Sequence, residues 1–372
     1  MKTISCTSEE LSKPVKIVEG IVEKRQTLPI LSNILVVQQG TKVAFSTTDL
    51  DIQIRTEAPL GVAETSECKF TVNANKITSI LGASNAKDPI TIDVTDGKLT
   101  LLSRGRKSEL QTLPAADYPV IREGTWERSI VLPAQQLRYL FSMTAFAMAN
   151  QDVRFYLNGV LFVMEGKVVR TVATDTHRLA CSEVEIDTEN ENFQCIIPRK
   201  TVRELTRILP DDDTAVKIEF TDLQIKFSWE NISFMSKLIE GKFPEYKRVL
   251  PSTDTNPKSV LINREDLSNA LRFVGIMTNE KFHGIRWILN KDTLEIRSVK
   301  TSEHEEAVET LSVQWPYDSM EMGFNITYLA EVLSILKNKE VKFNFSGTAG
   351  SVLITMPESP DRFRYVVMPM RI

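Results

Sequence analysis

Three copies of one short alternating strand, set at a near-constant interval, constrain this chain more than any other feature. Ile90-Thr-Ile-Asp-Val-Thr recurs as Val216-Lys-Ile-Glu-Phe-Thr and as Val341-Lys-Phe-Asn-Phe-Ser, with starts 126 and 125 residues apart. Apolar and polar residues alternate in each, which predicts a strand with one buried face. A helix-like stretch precedes every copy, at residues 73–84, 198–210 and 325–337, and the pairs Ile77/Ile80, Val202/Leu205 and Leu329/Val332 hold the same place in it. A second helix opens each unit, at 8–22, 133–148 and 263–277. There Leu11/Val15/Val18, Leu137/Phe141/Thr144 and Leu267/Leu271/Val274 keep the i, i+4, i+7 spacing of a buried stripe. Pro14 predicts that the first of these helices starts late or kinks, because proline removes a hydrogen bond and clashes with the preceding turn.

Turn-forming segments close the units. Ala115-Ala-Asp-Tyr-Pro119 and Gly241-Lys-Phe-Pro244 place prolines 125 residues apart, and polar linkers follow at 121–128 and 251–259. Four element types matching in order and spacing predict an internal triplication. The 372 residues also exceed what one hydrophobic core organises. The predicted fold class is α+β: three tandem copies of a domain with two helices on β-sheet, spanning 1–124, 127–253 and 256–372. Sheets of this kind leave edge strands with unpaired backbone groups. Edge-to-edge joining of successive units hides those edges, and head-to-tail contact closes into a ring or grows into a filament.

The net charge of −4 argues against a protein coated in positive charge. A local basic surface is still enough to meet phosphate. The six helical stretches together carry a net +4, so the acidic balance lies elsewhere in the chain. Two readings fit that distribution: helices carrying solubilising lysine and arginine, or, in a triplicated fold that closes on itself, a basic lining that positions DNA without reading its sequence. Cys6, Cys68, Cys181 and Cys195 form no CxxC pair, which disfavours a disulfide framework or zinc site and fits a reducing cytoplasm. The segment MKTISCTSEELSK has no apolar signal core and no 18-residue apolar run occurs, so no membrane association is expected and the location expected is cytoplasmic.

Catalytic signatures are missing from the sequence: there is no GxxxxGK[ST], HExxH or GxSxG. Asp175-Thr-His177 offers two metal ligands without a partner cluster. Glu303-His-Glu-Glu306 with Glu309 fits no known ion-binding loop and reads as an acidic docking face. No catalytic residue, metal or cofactor is expected. A peptide-collecting scaffold and an enzyme built around His177 are the competing classes.

Specific segments then resemble a known family. Gln151-Asp-Val-Arg154-Phe-Tyr156-Leu157-Asn-Gly159, Thr171-Val-Ala-Thr174-Asp-Thr-His177-Arg178-Leu179-Ala180 and Phe243-Pro-Glu-Tyr-Lys-Arg-Val249-Leu-Pro251 are similar to the bacterial sliding clamps, the β subunits of DNA polymerase III. So are Thr27-Leu-Pro-Ile-Leu31, Thr112-Leu-Pro-Ala-Ala-Asp117 and Val366-Val-Met-Pro-Met-Arg-Ile372. The resemblance covers essentially the whole chain. It implies three clamp domains per chain, a head-to-tail homodimer closed into a six-domain ring, and a non-catalytic processivity factor that encircles double-stranded DNA without sequence preference.

The resemblance also implies residue roles. DNA-facing positions fall on Lys24, Arg25, Gln151, Phe155, Tyr156, Arg199 and Lys200. Phe155 stands where relatives often carry tyrosine, with ordinary core packing as its alternative role. A pocket for short peptide motifs of the polymerase catalytic subunit, the clamp loader, other polymerases and repair proteins maps to Leu157, Thr174, Leu179, Pro244, Val249, Val366 and Met368. Arg154, His177, Arg178, Asn325, Tyr328, Ser351, Pro369, Met370 and Arg371 extend it with polar and flexible groups. The dimer contact maps to basic Arg104, Arg106 and Lys107, acidic Glu303, Glu305, Glu306 and Glu309, and an apolar centre at Leu110, Ile276 and Met277. Ser108 stands where relatives carry an aromatic, which weakens the expected ring closure.

Overall fold

Every helix begins where a strand ends. The computed structural model describes residues 2–23, 28–62, 68–95, 97–251, 257–278, 283–299, 305–348 and 350–371. In the first third, β1 (Lys2–Thr7) runs directly into α1 (Ser8–Val18). Thr7 makes the corner with a reciprocal cap: its Oγ1 accepts from Glu10 N at 3.3 Å, and the Glu10 carboxylate accepts from Thr7 N at 2.8 Å. β2 (Asn33–Gln39), β3 (Lys42–Thr48), β4 (Ile52–Ala58) and the two-residue β5 (Gly61–Val62) follow. Then come β6 (Cys68–Asn73), α2 (Ala74–Gly82), β7 (Pro89–Thr95), β8 (Lys98–Ser103) and β9 (Arg106–Gln111).

The middle third repeats the order with β10 (Arg128–Pro133), α3 (Ala134–Ser142), β11 (Gly159–Thr174), β12 (Arg178–Pro198) and α4 (Arg199–Ile208). It closes with β13 (Ala215–Phe220), β14 (Gln224–Trp229) and β15 (Ile232–Lys237). β11 and β12 each stand for two strands. β11 turns at Gly166 (φ +60°), the counterpart of Gly40 (φ +61°) between β2 and β3. The left-handed backbone at both turns favours a residue without a Cβ.

The last third comprises β16 (Lys258–Asn263), α5 (Arg264–Gly275), β17 (Gly284–Asn290), β18 (Thr293–Ser298) and β19 (Val308–Ser312). β20 (Met320–Asn325), α6 (Ile326–Ile335), β21 (Glu340–Phe345), β22 (Val352–Thr355) and β23 (Phe363–Val367) complete it. Asn73, Asn263 and Asn325 end their strands and cap the helices that follow, each accepting backbone N–H bonds of 2.9–3.1 Å. The helical stripes read from sequence are buried, from Leu11, Val15 and Val18 through Leu137 and Phe141 to Leu267, Leu271 and Val274. The repeated strands are β7, β13 and β21, and Ile90, Ile92, Val216, Ile218, Val341 and Phe343 all point inward. One expectation fails in part: α1 starts on time at Ser8 and carries Pro14 in its interior, where the buried ring joins the apolar stripe.

The described chain divides into two compact units, Met1–Leu137 with Arg203–Leu238, and Arg138–Val202 with Ile239–Ile372. Strand pairing between successive thirds explains a division that cuts the middle one. In the first unit β15 pairs antiparallel with β4, making one eight-stranded sheet in the order β10-β13-β14-β15-β4-β3-β2-β6 beside a five-stranded sheet β5-β1-β7-β8-β9. In the second unit β23 pairs with β12 in the sheet β11-β12-β23-β22-β21-β16, beside a four-stranded sheet β19-β18-β17-β20. Among the described residues β9 and β19 end their sheets.

Candidate functional site

A tight corner at residues 175–177 joins β11 to β12 in the second unit. Asp175 Oδ1 accepts from the backbone N–H of His177 (3.0 Å) and Arg178 (3.1 Å), while Thr174 Oγ1 donates to Arg178 O at 2.6 Å. Thr176 sits at φ +78°. A left-handed conformation at a β-branched residue is costly and persists only where surrounding bonds over-determine it. The corner presents His177 outward and sends Leu179 inward.

Leu179 is cross-strand partner to Val366 on β23, which in turn faces Leu353 on β22. These three belong to one apolar cluster with Leu161, Val163, Val172, Cys181, Ile196, Phe243 and Tyr246. Burial pushes the Cys181 thiol up to about 11, so it is a core group rather than a reactive one. Leu157 and Thr174 are also buried, whereas Pro244, Val249 and Met368 are exposed. The apolar positions assigned to the pocket therefore split into a fixed floor and an exposed rim. A cleft of about 420 Å³ opens beside it, with Leu161, Val163, Phe243, Pro244 and Tyr246 among its lining.

Arg178 departs from its expected part as a flexible extension. Its side chain is 8% exposed and fully engaged: Nε donates to Asp175 Oδ2 (3.0 Å), Nη2 to Phe146 O (2.8 Å) and Nη1 to Glu331. The guanidinium also lies 4.5 Å from the Tyr328 ring centroid. Burial opposes its charge, but Tyr365, Glu331 and Asp175 outweigh burial and keep it protonated. His177 stacks against Tyr328 at 6.4 Å between centroids, and Tyr365 Oη donates to Tyr328 O at 3.0 Å. Asn325 spends its Oδ1 on the α6 cap. Ser351 and Pro369 are half-buried and Arg371 is exposed. The C-terminal segment is pinned along its backbone, Met368 N donating to His177 O (2.9 Å) and Met370 N to Gly323 O (2.8 Å), while the Met368 side chain remains 45% exposed.

Of the positions assigned to DNA, Lys24 and Arg25 lie outside the described residues. Gln151 is exposed with φ +57°, and Phe155 is 74% exposed, so core packing is excluded for it. Tyr156, on the same 3₁₀ turn, leans on the apolar cluster. Arg154 folds back on Asp152 through two bonds of 2.8 and 3.0 Å, and this pairing holds the Asp152 carboxyl at about 2. Arg199 donates to the Met148 and Ala149 carbonyls at 3.0 and 3.3 Å, tying the start of α4 to the preceding loop. Lys200 follows it, half-buried.

The positions assigned to the dimer contact fall at or near the two sheet ends. Arg104 pairs with the buried Asp88 at 2.9 Å, Arg106 Nη1 donates to Ala83 O at 2.9 Å, and Lys107 pairs with Glu109 at 2.8 Å. Leu110 is 8% exposed within its own sheet, whereas Ile276 is 71% exposed. Met277 is half-buried. Glu305 and Glu306 are exposed and Glu309 half-exposed; Glu303 lies outside the described residues. No group of three or more His, Cys, Asp and Glu able to hold a metal occurs among the described residues. Asp175, Phe146, Glu331 and Tyr246 escaped the sequence reading as site residues. Of these, Asp175 and Tyr246 lay inside recognised segments, while Phe146 and Glu331 reach the site through long-range packing.

Comparison with known proteins follows the same three-part division. The N-terminal, central and C-terminal domains of the DNA polymerase III β subunit match residues 2–122, 131–245 and 247–371. The chain is 39% identical over 366 residues to the β sliding clamp of Pseudomonas aeruginosa, covering 98% of each. It is 36% identical over 365 residues to that of Escherichia coli, again covering 98% of each. The crystal structure of the P. aeruginosa sliding clamp bound to griselimycin superposes with a TM-score of 0.94 at 37% identity, covering all of both chains. The C. crescentus β sliding clamp, solved with PEG bound to a region assigned to β-motif tethering, gives 0.92 at 28% identity, covering 100% of this chain and 99% of that one. With all three domains matched in order along one chain, the protein belongs to the DNA polymerase III β subunit family.

Proposed function

We propose that the protein is a sliding clamp: a non-catalytic head-to-tail dimer, with clamp domains at 1–124, 127–253 and 256–372, that encircles duplex DNA and tethers polymerases to it. The observation that carries this reading is a repeated strand join. The last strand of the middle third pairs with β4, and the last strand of the final third pairs with β12. The registers are equivalent, since Ile232↔Thr56 in the first join recurs as Phe363↔Ser182 in the second. By the same rule β9, the last strand of the first third, takes the edge of β19 in a second copy. Lys98↔Gln111 and Gln224↔Lys237 are matching hairpin positions, which makes Arg106 the counterpart of Ile232. Phe45↔Thr56 and Ile296↔Glu309 match likewise, which makes Glu309 the counterpart of Thr56. The transferred register sets Arg106 opposite Glu309, an opposite-charge pair that favours this join over like-with-like pairing.

Two such joins per pair of chains close every sheet edge of this type, which is the condition for a ring rather than a filament. The ring acts by effective concentration: a tethered polymerase rebinds the primer end faster than it diffuses away. The Leu179–Val366 floor with its Pro244, Val249 and Met368 rim suits a short peptide motif with an apolar anchor, and exposed methionine adapts to different partners. The polymerase catalytic subunit, the clamp loader and other polymerases and repair proteins would share it. No helix among the described residues is long and apolar enough to cross a membrane, and the proposed location is the cytoplasm. Retention on circular DNA tests the proposal. Protein loaded on a closed circle should be lost when the circle is cut, and equal retention on both forms would establish ordinary surface binding instead.

A further inference from the structure

We infer that Arg170 is a positioning residue of the partner pocket, holding the loop that carries Pro244 and Val249 against the strands that carry Leu179 and Val366. The inference rests on the pocket reading above and adds the device that fixes the distance between wall and floor. Arg170 lies on β11 with its side chain 13% exposed. Its Nε donates to Glu183 Oε2 on β12 at 2.7 Å, and its Nη1 donates to Glu165 Oε2 at 3.1 Å and to Tyr246 Oη at 3.2 Å. The same Glu183 oxygen accepts from Arg364 Nη2 on β23 at 2.8 Å. Lys247 completes the connection, its ammonium 3.0 and 3.1 Å from the two Glu165 oxygens. Three strands and one loop thus meet around one guanidinium.

The loop needs such a tie. Between Ile239, whose N–H bonds Ile196 O at 2.9 Å, and Leu250, it is organised by short-range bonds such as Tyr246 N→Pro244 O (2.7 Å) and Val249 N→Tyr246 O (3.0 Å). The Tyr246 ring sits in the cluster with Leu179 and Val366. Apolar contact is non-directional and lets a ring slide, whereas a hydrogen bond to its hydroxyl fixes where it stops. A planar guanidinium with donors in a fixed fork can serve several acceptors at once, which a lysine ammonium on a flexible stem does less well. A half-buried ionic network of this kind need not raise stability, so its consequence here is geometric.

The test measures affinity for a fluorescein-labelled peptide copying the C-terminal tail of the polymerase catalytic subunit, by anisotropy, with thermal melting and sedimentation on every variant. Leu179→Ala reports whether the pocket is the peptide site. Arg170→Met keeps the stem and removes the ties; Tyr246→Phe keeps the ring and removes only the hydroxyl. Arg170→Met should weaken the peptide about fivefold to tenfold and Tyr246→Phe about threefold, with dimerisation unchanged. The double variant should bind no worse than Arg170→Met alone, because both changes break the same tie. Such coupling in peptide affinity is a signature that a merely structural arginine would not give. Unchanged affinity in Arg170→Met, alongside a weakened Leu179→Ala, overturns the positioning role and leaves the pocket reading standing. Unchanged affinity in Leu179→Ala overturns both. If Arg170→Met fails to fold, Tyr246→Phe decides, and wild-type affinity in that variant overturns the inference.

Discussion

Reversing one charge on the free edge of β9 should open the proposed ring. The transferred register places Arg106 opposite Glu309, and a cross-strand pair of opposite charges contributes roughly 0.2–1 kcal/mol, with like charges unfavourable by a similar amount. Arg106→Glu thus shifts each join by about 0.4–2 kcal/mol, and a two-fold ring contains two identical joins. The dimer should lose about 1–4 kcal/mol, a dissociation constant raised from roughly fivefold to nearly a thousandfold. Arg106 also donates to Ala83 O at the end of α2, so melting of the monomer must be compared first, and Arg106→Gln separates loss of that bond from charge reversal. Sedimentation velocity over a dilution series gives the dissociation constant. Adding Glu309→Arg to Arg106→Glu restores an opposite-charge pair and should recover most of the lost affinity. An Arg106→Glu protein that stays dimeric at every dilution, or a double variant no tighter than the single one, would refute the register and the charge argument behind it.

Three further outcomes follow from particular side chains. Met368→Ala, at a 45% exposed rim position, should weaken the polymerase-tail peptide about tenfold by anisotropy with little change in melting; Leu179→Ala should do the same but also lose about 2–5 kcal/mol of stability by denaturant titration, because Leu179 is 3% exposed. Lys200→Ala should reduce the slope of log affinity for DNA against log salt by about one, and Arg199→Ala, which unties the Met148 and Ala149 carbonyls, should lower the melting temperature as well. The raised Cys181 thiol makes stability pH-dependent. From its ordinary value near 9 to about 11, the unfolded chain releases a proton that the folded chain retains, so stability present below pH 9 falls as pH rises through that window. Urea midpoints across that range should show the fall, and Cys181→Ala should make it shallower by one thiol's share, the remainder coming from groups such as Cys195 and Cys6 that burial also raises.

Much of the fold was legible because it depends on local order. The i, i+4, i+7 stripes at Leu11/Val15/Val18 and Leu267/Leu271/Val274 dictate which helix face is buried whatever lies beneath. The alternation at Ile90, Val216 and Val341 does the same for a strand. Phe155 was open between core and surface from sequence, and only its surroundings decided for the surface. Arg178 and Arg199 looked like available positive charge. The structure commits both to carbonyls, which no spacing rule reveals, because those carbonyls belong to Phe146, Met148 and Ala149 on another part of the chain.

The sequence by itself determined that one pattern of two helices and an alternating strand is written three times and that no catalytic motif interrupts it. It also showed that the six helical stretches carry a net +4 within a chain of net −4. Tertiary structure alone decided how the copies join. The groups that pair at a strand edge are backbone N–H and C=O, which every residue but proline supplies equally. Which edge meets which, and in what register, depends on the curvature and pairing of whole sheets. The β15–β4 and β23–β12 joins, the open β9 and β19 edges they imply, and the guanidinium at which β11, β12, β23 and the 240–250 loop meet all arise at that level.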